Sequence, residues 1–506
     1  MSKHTAIRSL MLVSALMVSA CSQAYVWSLP PNIVATLTEH GQHQGHGGQT
    51  TGKPKEKPKE KAPPAQHQHT DPKKPTQHDQ HKDPKKPMQH DMGGMQMGSM
   101  KGTQGDWSMN RQGSGTSWIP DTSPMFMKML PSWNGFEVNF MGSATLNYAD
   151  AGGRRGDSQL FSNSMAMLMA RREYGDGGVL GLQFMASLDP LFNGKKGYPN
   201  LFQTGETANG EPLKDRQHPH DLISEVALSY SRPITSTTRA IGYFGLVGEP
   251  ALGGSMFLMR PSGMENPEAP ISHHWFDSSH ITFGVATLGL SFDNKWKVEA
   301  STFNGTEPDE DRYDIDTIKF DSYSGRLSFN PNENWSYQVS YGFLKEPEDT
   351  LEPGVSQHRL TASAMYNLPL SNGDNLSLAF LYGQNTKAGE DSTNAFALEG
   401  TYYRRATSFF ARFERVEKDE LVDVPEGTYT INKFTFGAVH DFMKRGGFDI
   451  GLGGFVGVYA FPSSLEPFYG KSPVSLGVFL RIRPSRMEHE KMDHQMTRSV
   501  LSRMGD

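Results

Sequence analysis

The sequence predicts an all-β fold: a transmembrane outer-membrane β-barrel of about 16 antiparallel strands, preceded by a disordered His/Met-rich arm. Three observations carry this reading. From Gly135 onward, apolar and polar residues alternate in runs of about ten, as in a strand with one face in lipid and one in a lumen. The breaks between runs are short and long in turn. An export signal stands at the start of the chain.

Composition narrows the class. The chain has 506 residues, of which 36% are hydrophobic, and a mean hydropathy of -0.55. That excludes a helical membrane bundle, and the apolar run 10–20 is too short to span a bilayer as a helix. A single cysteine, Cys21, excludes a disulfide framework or a thiolate cluster. The conspicuous residues are 26 Met and 18 His. The net charge of -6 is uneven: residues 31–105 carry eleven Lys against four Asp and three Glu, whereas the chain from 106 onward is acidic. An acidic body gives nucleic acid no basic surface to bind and attracts cations.

The elements follow in order. Lys3 and Arg8 precede an apolar run and then small residues, so 1–24 reads as a secretory signal peptide. Two cleavage sites compete: Val18-Ser19-Ala20-Cys21 is lipobox-like and would give a lipoprotein, and Ser22-Gln23-Ala24 is an ordinary small-x-small site. Residues 25–105 form the arm, rich in Lys, Pro, Gln, His and Gly, with too little apolar surface to offset the entropy of ordering. It contains a repeat, Asp71–Asp79 returning as Asp83–Asp91. His78, His81, His90, Met92, Met95, Met97 and Met100 are its candidate metal ligands. Imidazole suits Cu(II), Zn and Ni, and thioether selects Cu(I), so His with Met and no Cys points to copper.

Residues 106–134 form a Met-containing lead-in, a candidate lumen segment, and 135–484 form the barrel. Strands are placed near 135–149, 159–172, 178–188, 222–232, 237–247, 280–292, 295–304, 318–330, 334–344, 358–369, 374–385, 394–405, 408–416, 430–440, 447–459 and 473–483. The alternation puts charges of both signs on the inner wall, among them Glu225, Glu299, Arg326, Arg359, Glu399 and Arg481. It also puts Met141, Met165, Met167, Met169 and Met185 there, as a soft-metal path or as gap-filling side chains. Residues 485–506 are a Met/His tail with Met487, His489, Met492, His494 and Met496.

Two long loops end in histidines, His218 and His220 in one and His273, His274 and His280 in the other. Both lie at equivalent strand entries, so they are candidates for one shared metal site, weakening as pH falls below about 6.5, the ordinary histidine value. The rival reading makes them turn and capping residues. No serine has a nucleophile-elbow setting and there is no phosphate loop, so the chain does not read as an enzyme.

The body resembles a poorly characterised family of Met/His-rich bacterial outer-membrane barrels associated with copper resistance. The matching stretches include Ser114–Trp118, Phe202–Glu206, His218–Leu222, Gly248–Gly253, His273–Trp275, Asp277–Ile281, Glu307–Glu310 and Asp321–Ser328. In layout the chain is also similar to copper-resistance protein B, without a shared motif. The resemblance implies a copper association and no catalytic residues. The expected function is therefore a barrel in the outer membrane of a Gram-negative bacterium that binds, sequesters or passes copper. Its arm would lie in the periplasm, its partners being outer-membrane lipid and periplasmic copper-handling proteins, with no nucleic acid. The alternatives are a general pore for a small solute and, less favoured, an outer-membrane hydrolase.

Overall fold

A computed structural model describes residues 100–487, Asp349 aside. The signal peptide, most of the arm and the tail beyond Met487 lie outside the described residues. Sixteen strands form the barrel. They are β1 (Phe136–Asp150), β2 (Ser158–Glu173), β3 (Val179–Ala186), β4 (Ile223–Pro233), β5 (Thr238–Gly248), β6 (Thr282–Phe292), β7 (Trp296–Phe303) and β8 (Ser322–Phe329). The second half is β9 (Trp335–Leu344), β10 (Gln357–Pro369), β11 (Asn375–Lys387), β12 (Thr393–Arg404), β13 (Thr407–Lys418), β14 (Tyr429–Arg445), β15 (Phe448–Ala460) and β16 (Val474–Pro484).

Each strand pairs antiparallel with its neighbour, and β16 closes the barrel on β1, with Ile482 opposite Ala144 and Leu476 opposite Asp150. Where β16 leaves β1, a lead strand, Met127–Trp133, takes over the same edge with Met127 opposite Met141. Between them β16 and the lead strand pair nearly all of the β1 edge, so little of it is left to template another chain.

The two faces explain the location. Leu160, Leu228, Leu288, Val298, Leu398 and Leu480 point outward and are exposed, as lipid-facing residues are. Aromatic pairs ring the short-turn end: Trp296 stacks on Phe329 at 3.8 Å and Trp335 on Tyr337 at 5.4 Å between centroids. A closed barrel with an apolar outside is a structure of the Gram-negative outer membrane, and the tight turns mark its periplasmic end.

The lumen is filled from both ends. From the periplasmic end the lead-in runs up the inner wall. Arg171 donates to the Gly102 carbonyl (3.0 Å), Asn330 to the Ile119 carbonyl (3.0 Å) and Arg326 to Thr116 Oγ1 (2.6 Å). From the outer end the third loop, 249–281, crosses the interior. Its backbone is held by Ser301 at Ala251 (2.8 Å), Ser340 at Gly253 (2.8 Å) and Arg412 at Glu268 (2.6 Å). The two segments meet where Ser255 Oγ accepts from the Ser114 amide (3.1 Å) and Ser114 Oγ from the Met256 amide (2.8 Å). Several of the inward charges noted in the sequence, Arg326, Arg359, Glu399 and Arg481, anchor these segments.

Among the boundaries that differ from expectation, two have a clear cause. Met100 to Gly105, read as arm, is buried against the wall, because Thr103 and Gln104 find partners in Gln112 and the Gly115 carbonyl. The strand read from 318 begins at Ser322, because Asn304 Oδ1 accepts from the Lys319 and Phe320 amides and draws that segment off the sheet.

Glu249 yields a test of the plug. It sits beneath Gly115, where a Cβ would stand 2.6 Å from the Glu249 Cβ; at φ +53° the position also favours glycine. Burial pushes the Glu249 carboxyl from 4.5 up to about 8, against the pull of Ser114 and Arg326. A carboxyl raised on folding stabilises the fold fully below 4.5, and this contribution is lost as pH rises through about 8. Amide-exchange protection of residues 113–117 should fall across that window in the wild type and stay level in Glu249→Gln. An equal fall in both would exclude Glu249 as the cause.

Candidate metal centre

The second loop, 187–222, and the third loop fold inward together, and the five loop histidines converge. Ring centroids of His220 and His280 are 5.3 Å apart, His273 and His280 5.2 Å, His273 and His274 5.5 Å, and His218 and His273 6.4 Å. Phe257 packs on His220, His273 and His280, fixing one side of the cluster.

Most of the rings are oriented through Nδ1. His220 Nδ1 is 2.8 Å from Asp189 Oδ2, His273 Nδ1 is 2.7 Å from Asp277 Oδ1, and His280 Nδ1 is 2.6 Å from the Asp277 carbonyl. A carboxylate or carbonyl on Nδ1 leaves Nε2 to act as a ligand, the usual outer shell of a metal-binding imidazole. The Nε2 atoms of His220 and His280 have no hydrogen-bond partner among the described residues. Asp189 is positioned locally: Ser164 donates its amide (2.8 Å) and hydroxyl (3.0 Å) to Oδ1, freeing Oδ2 for His220.

His274 is the hub. It is 3% exposed, yet neither ring nitrogen has a hydrogen-bond partner among the described residues. Ligand atoms of His218, His273 and His274 lie within 4.8 Å of one another, as do those of Glu206, His274 and Glu307, and of His274, Glu348 and Glu420. A metal bound at 2.0–2.2 Å requires the rings to close by only a fraction of this spacing. Gly205 shapes the site, since a Cβ there would stand 2.3 Å from His274 Nδ1.

The surroundings are acidic. Glu206, Glu307 and Glu348 line a cavity at the outer mouth, with Arg312 among them. Burial would raise Glu206, but His218 at 3.0 Å and Arg312 at 3.0 Å hold it well below the carboxylate range. Burial pushes Glu307 up to about 8, with the Glu206 charge adding to the rise. Burial also lowers His218, and lowers His274 and His280 well below the ordinary range, with His273 adding to both. Burial therefore favours the neutral form of these three imidazoles, the form that binds a metal.

Of the residues singled out in the sequence, His218, His220, His273, His274 and His280 are brought together. Met100 is not in a mobile arm; it packs with Met109, Met125 and Met127. His78, His81, His90, Met92, Met95 and Met97 lie outside the described residues. Sequence reasoning missed Asp189 and Glu348, which stand far from the histidines along the chain and carry no local signal.

No family model matches the chain, and no curated protein matches it either. Among solved structures it is similar to a loop-deleted form of OmpT, an outer-membrane protein of Vibrio cholerae. That match has 11% identity and a TM-score of 0.40 and covers 69% of this chain and 100% of that one. The anion-selective porin of Comamonas acidovorans matches at 13% identity and a TM-score of 0.40, covering 69% and 99%. OprB of Pseudomonas putida matches at 10% identity and a TM-score of 0.44, covering 69% and 94%. The barrel reading rests on the strand pairing itself.

Proposed function

We propose that this barrel is a narrowed passage for a small solute across the outer membrane, and that the solute is a metal ion, copper first. The barrel supports passage of a small solute in general. The observation that narrows the class is the convergence of five imidazoles from two loops, one of them buried with both nitrogens unpartnered. A buried polar atom without a partner costs free energy, and a cation on the unprotonated nitrogen of His274 removes that cost for one of the two. Glu206, Glu307 and Glu348 beside His274 offer carboxyl oxygens as further ligands. Imidazole with nearby thioether and no thiolate favours copper over zinc. In this reading the arm collects ions in the periplasm and exchanges them with copper-handling partners there.

The plain pore is the second reading, favoured by the barrel architecture alone. Planar-bilayer conductance separates the two. The full chain should conduct poorly, and Cu(II) in the outer compartment should reduce the conductance further. A large conductance indifferent to copper would leave only the plain pore.

A further inference from the structure

We infer that methionines of the inner wall form a thioether track that binds a soft monovalent cation, Cu(I) or Ag(I). The inference rests on the barrel wall and not on the histidine centre. Its core is a cross-strand row. Met127 of the lead strand lies opposite Met141 of β1, Met141 opposite Met167 of β2, and Met167 opposite Met185 of β3. The next strand, β4, places Glu225 opposite Met185. Residues paired in this way have side chains about 4.5–5.5 Å apart at Cβ, so four thioethers stand in line across four strands and end at a carboxylate.

The row is extended at both ends. The third loop lays Met256 and Met259 against it, on either side of Phe257, whose ring touches His220 and His273. Toward the periplasmic end Met109 and Met125 join Met127. The track thus runs from the histidine centre to the lead strand.

Gap-filling is the competing explanation, because Met adapts to irregular space. It does not account for the segregation. The large core cluster beneath the second and third loops is built of Leu, Ile, Val, Ala and aromatic residues, with no Met. The wall cluster is methionine except for Leu258. Leucine fills the same volume with better-defined rotamers.

A second observation points to a ligand. In register with Met169 stand Asn139 on one side and Gln183 on the other. Asn139 Oδ1 and Gln183 Oε1 are buried acceptors with no hydrogen-bond partner among the described residues. Amides meanwhile donate to sulfur, Gln112 Nε2 to Met169 Sδ at 3.7 Å and Asn139 Nδ2 to Met109 Sδ at 3.8 Å. A cation among these sulfurs and oxygens would give the orphan acceptors a partner. Neutral soft sulfur selects Cu(I) and Ag(I) over harder ions.

Ag(I), which needs no reductant, is the probe. The full chain with methyl-labelled methionine is titrated in detergent micelles and followed by NMR. The methyls of Met141, Met167 and Met185 should shift. Met141→Leu/Met167→Leu/Met185→Leu, which conserves volume, should weaken Ag(I) binding at the wall by at least about tenfold, the scale on which disturbed metal shells lose affinity. His273→Gln/His274→Gln should leave the wall shifts intact, which separates this inference from the histidine reading. Should the triple variant fail to fold, the wild-type shifts decide alone. Wall methyls unmoved by Ag(I), while other methionines respond, would overturn the track and leave the row as packing.

Discussion

Replacing Arg260 by Met should open the lumen. Arg260 is fully buried in the third loop and forks onto the β12 wall, with Nε 2.9 Å and Nη2 3.0 Å from the two Glu399 oxygens. Its Nη1 lies 2.6 Å from Asp277 Oδ2. Removing one partner of a buried ion pair leaves the others uncompensated, at a cost of about 3–5 kcal/mol. Here both a wall carboxylate and a loop carboxylate lose the Arg260 cation, leaving Glu399 with Arg412 at 3.9 Å and the Ser262 hydroxyl, and Asp277 with His273. Burial would raise Asp277, but Arg260 and His273 hold it well below the carboxylate range. Asp277 also orients His273 and His280, so the imidazoles lose their frame with the loop. Single-channel conductance should rise in Arg260→Met and less in Arg260→Lys, which keeps the charge without the fork. Unchanged conductance would show that the third loop is held without this anchor.

The barrel was legible because a lipid-facing wall enforces a strict period of two. Each strand in the sequence reading has its counterpart, and Met141, Met165, Met167, Met169 and Met185 do face inward as the alternation placed them. The convergence of the loop histidines was suggested by their matching positions before β4 and β6. Other parts were not legible, for physical reasons. Asp189 reaches His220 across 31 residues, and Glu348 approaches His274 across the mouth from another loop. No periodicity records such contacts. That the lumen is filled follows from anchors such as Arg260 to Glu399 and Ser272 to Glu414, pairs separated by about 140 residues, which only the closed barrel brings together. The burial that keeps His274 and His280 neutral is likewise a property of the assembled plug.

The second large effect concerns the metal itself. His273→Gln/His274→Gln removes two members of the imidazole triad His218, His273 and His274, including the ring whose two nitrogens have no hydrogen-bond partner among the described residues. Glutamine keeps a polar side chain of similar length, so the loop retains its bulk. The loss should be confined to binding, with the strands unchanged by circular dichroism.

Metal content of the full-length chain, purified in detergent and equilibrated with Cu(II) against a competing chelator, tests the histidine centre most directly. The wild type should retain about one more copper per chain than His273→Gln/His274→Gln, since three or four such ligands make one site. Any copper held by the arm or tail would be common to both proteins and cancel in the difference. Equal copper in wild type and variant would contradict the centre and leave a filled barrel whose histidines serve only its packing.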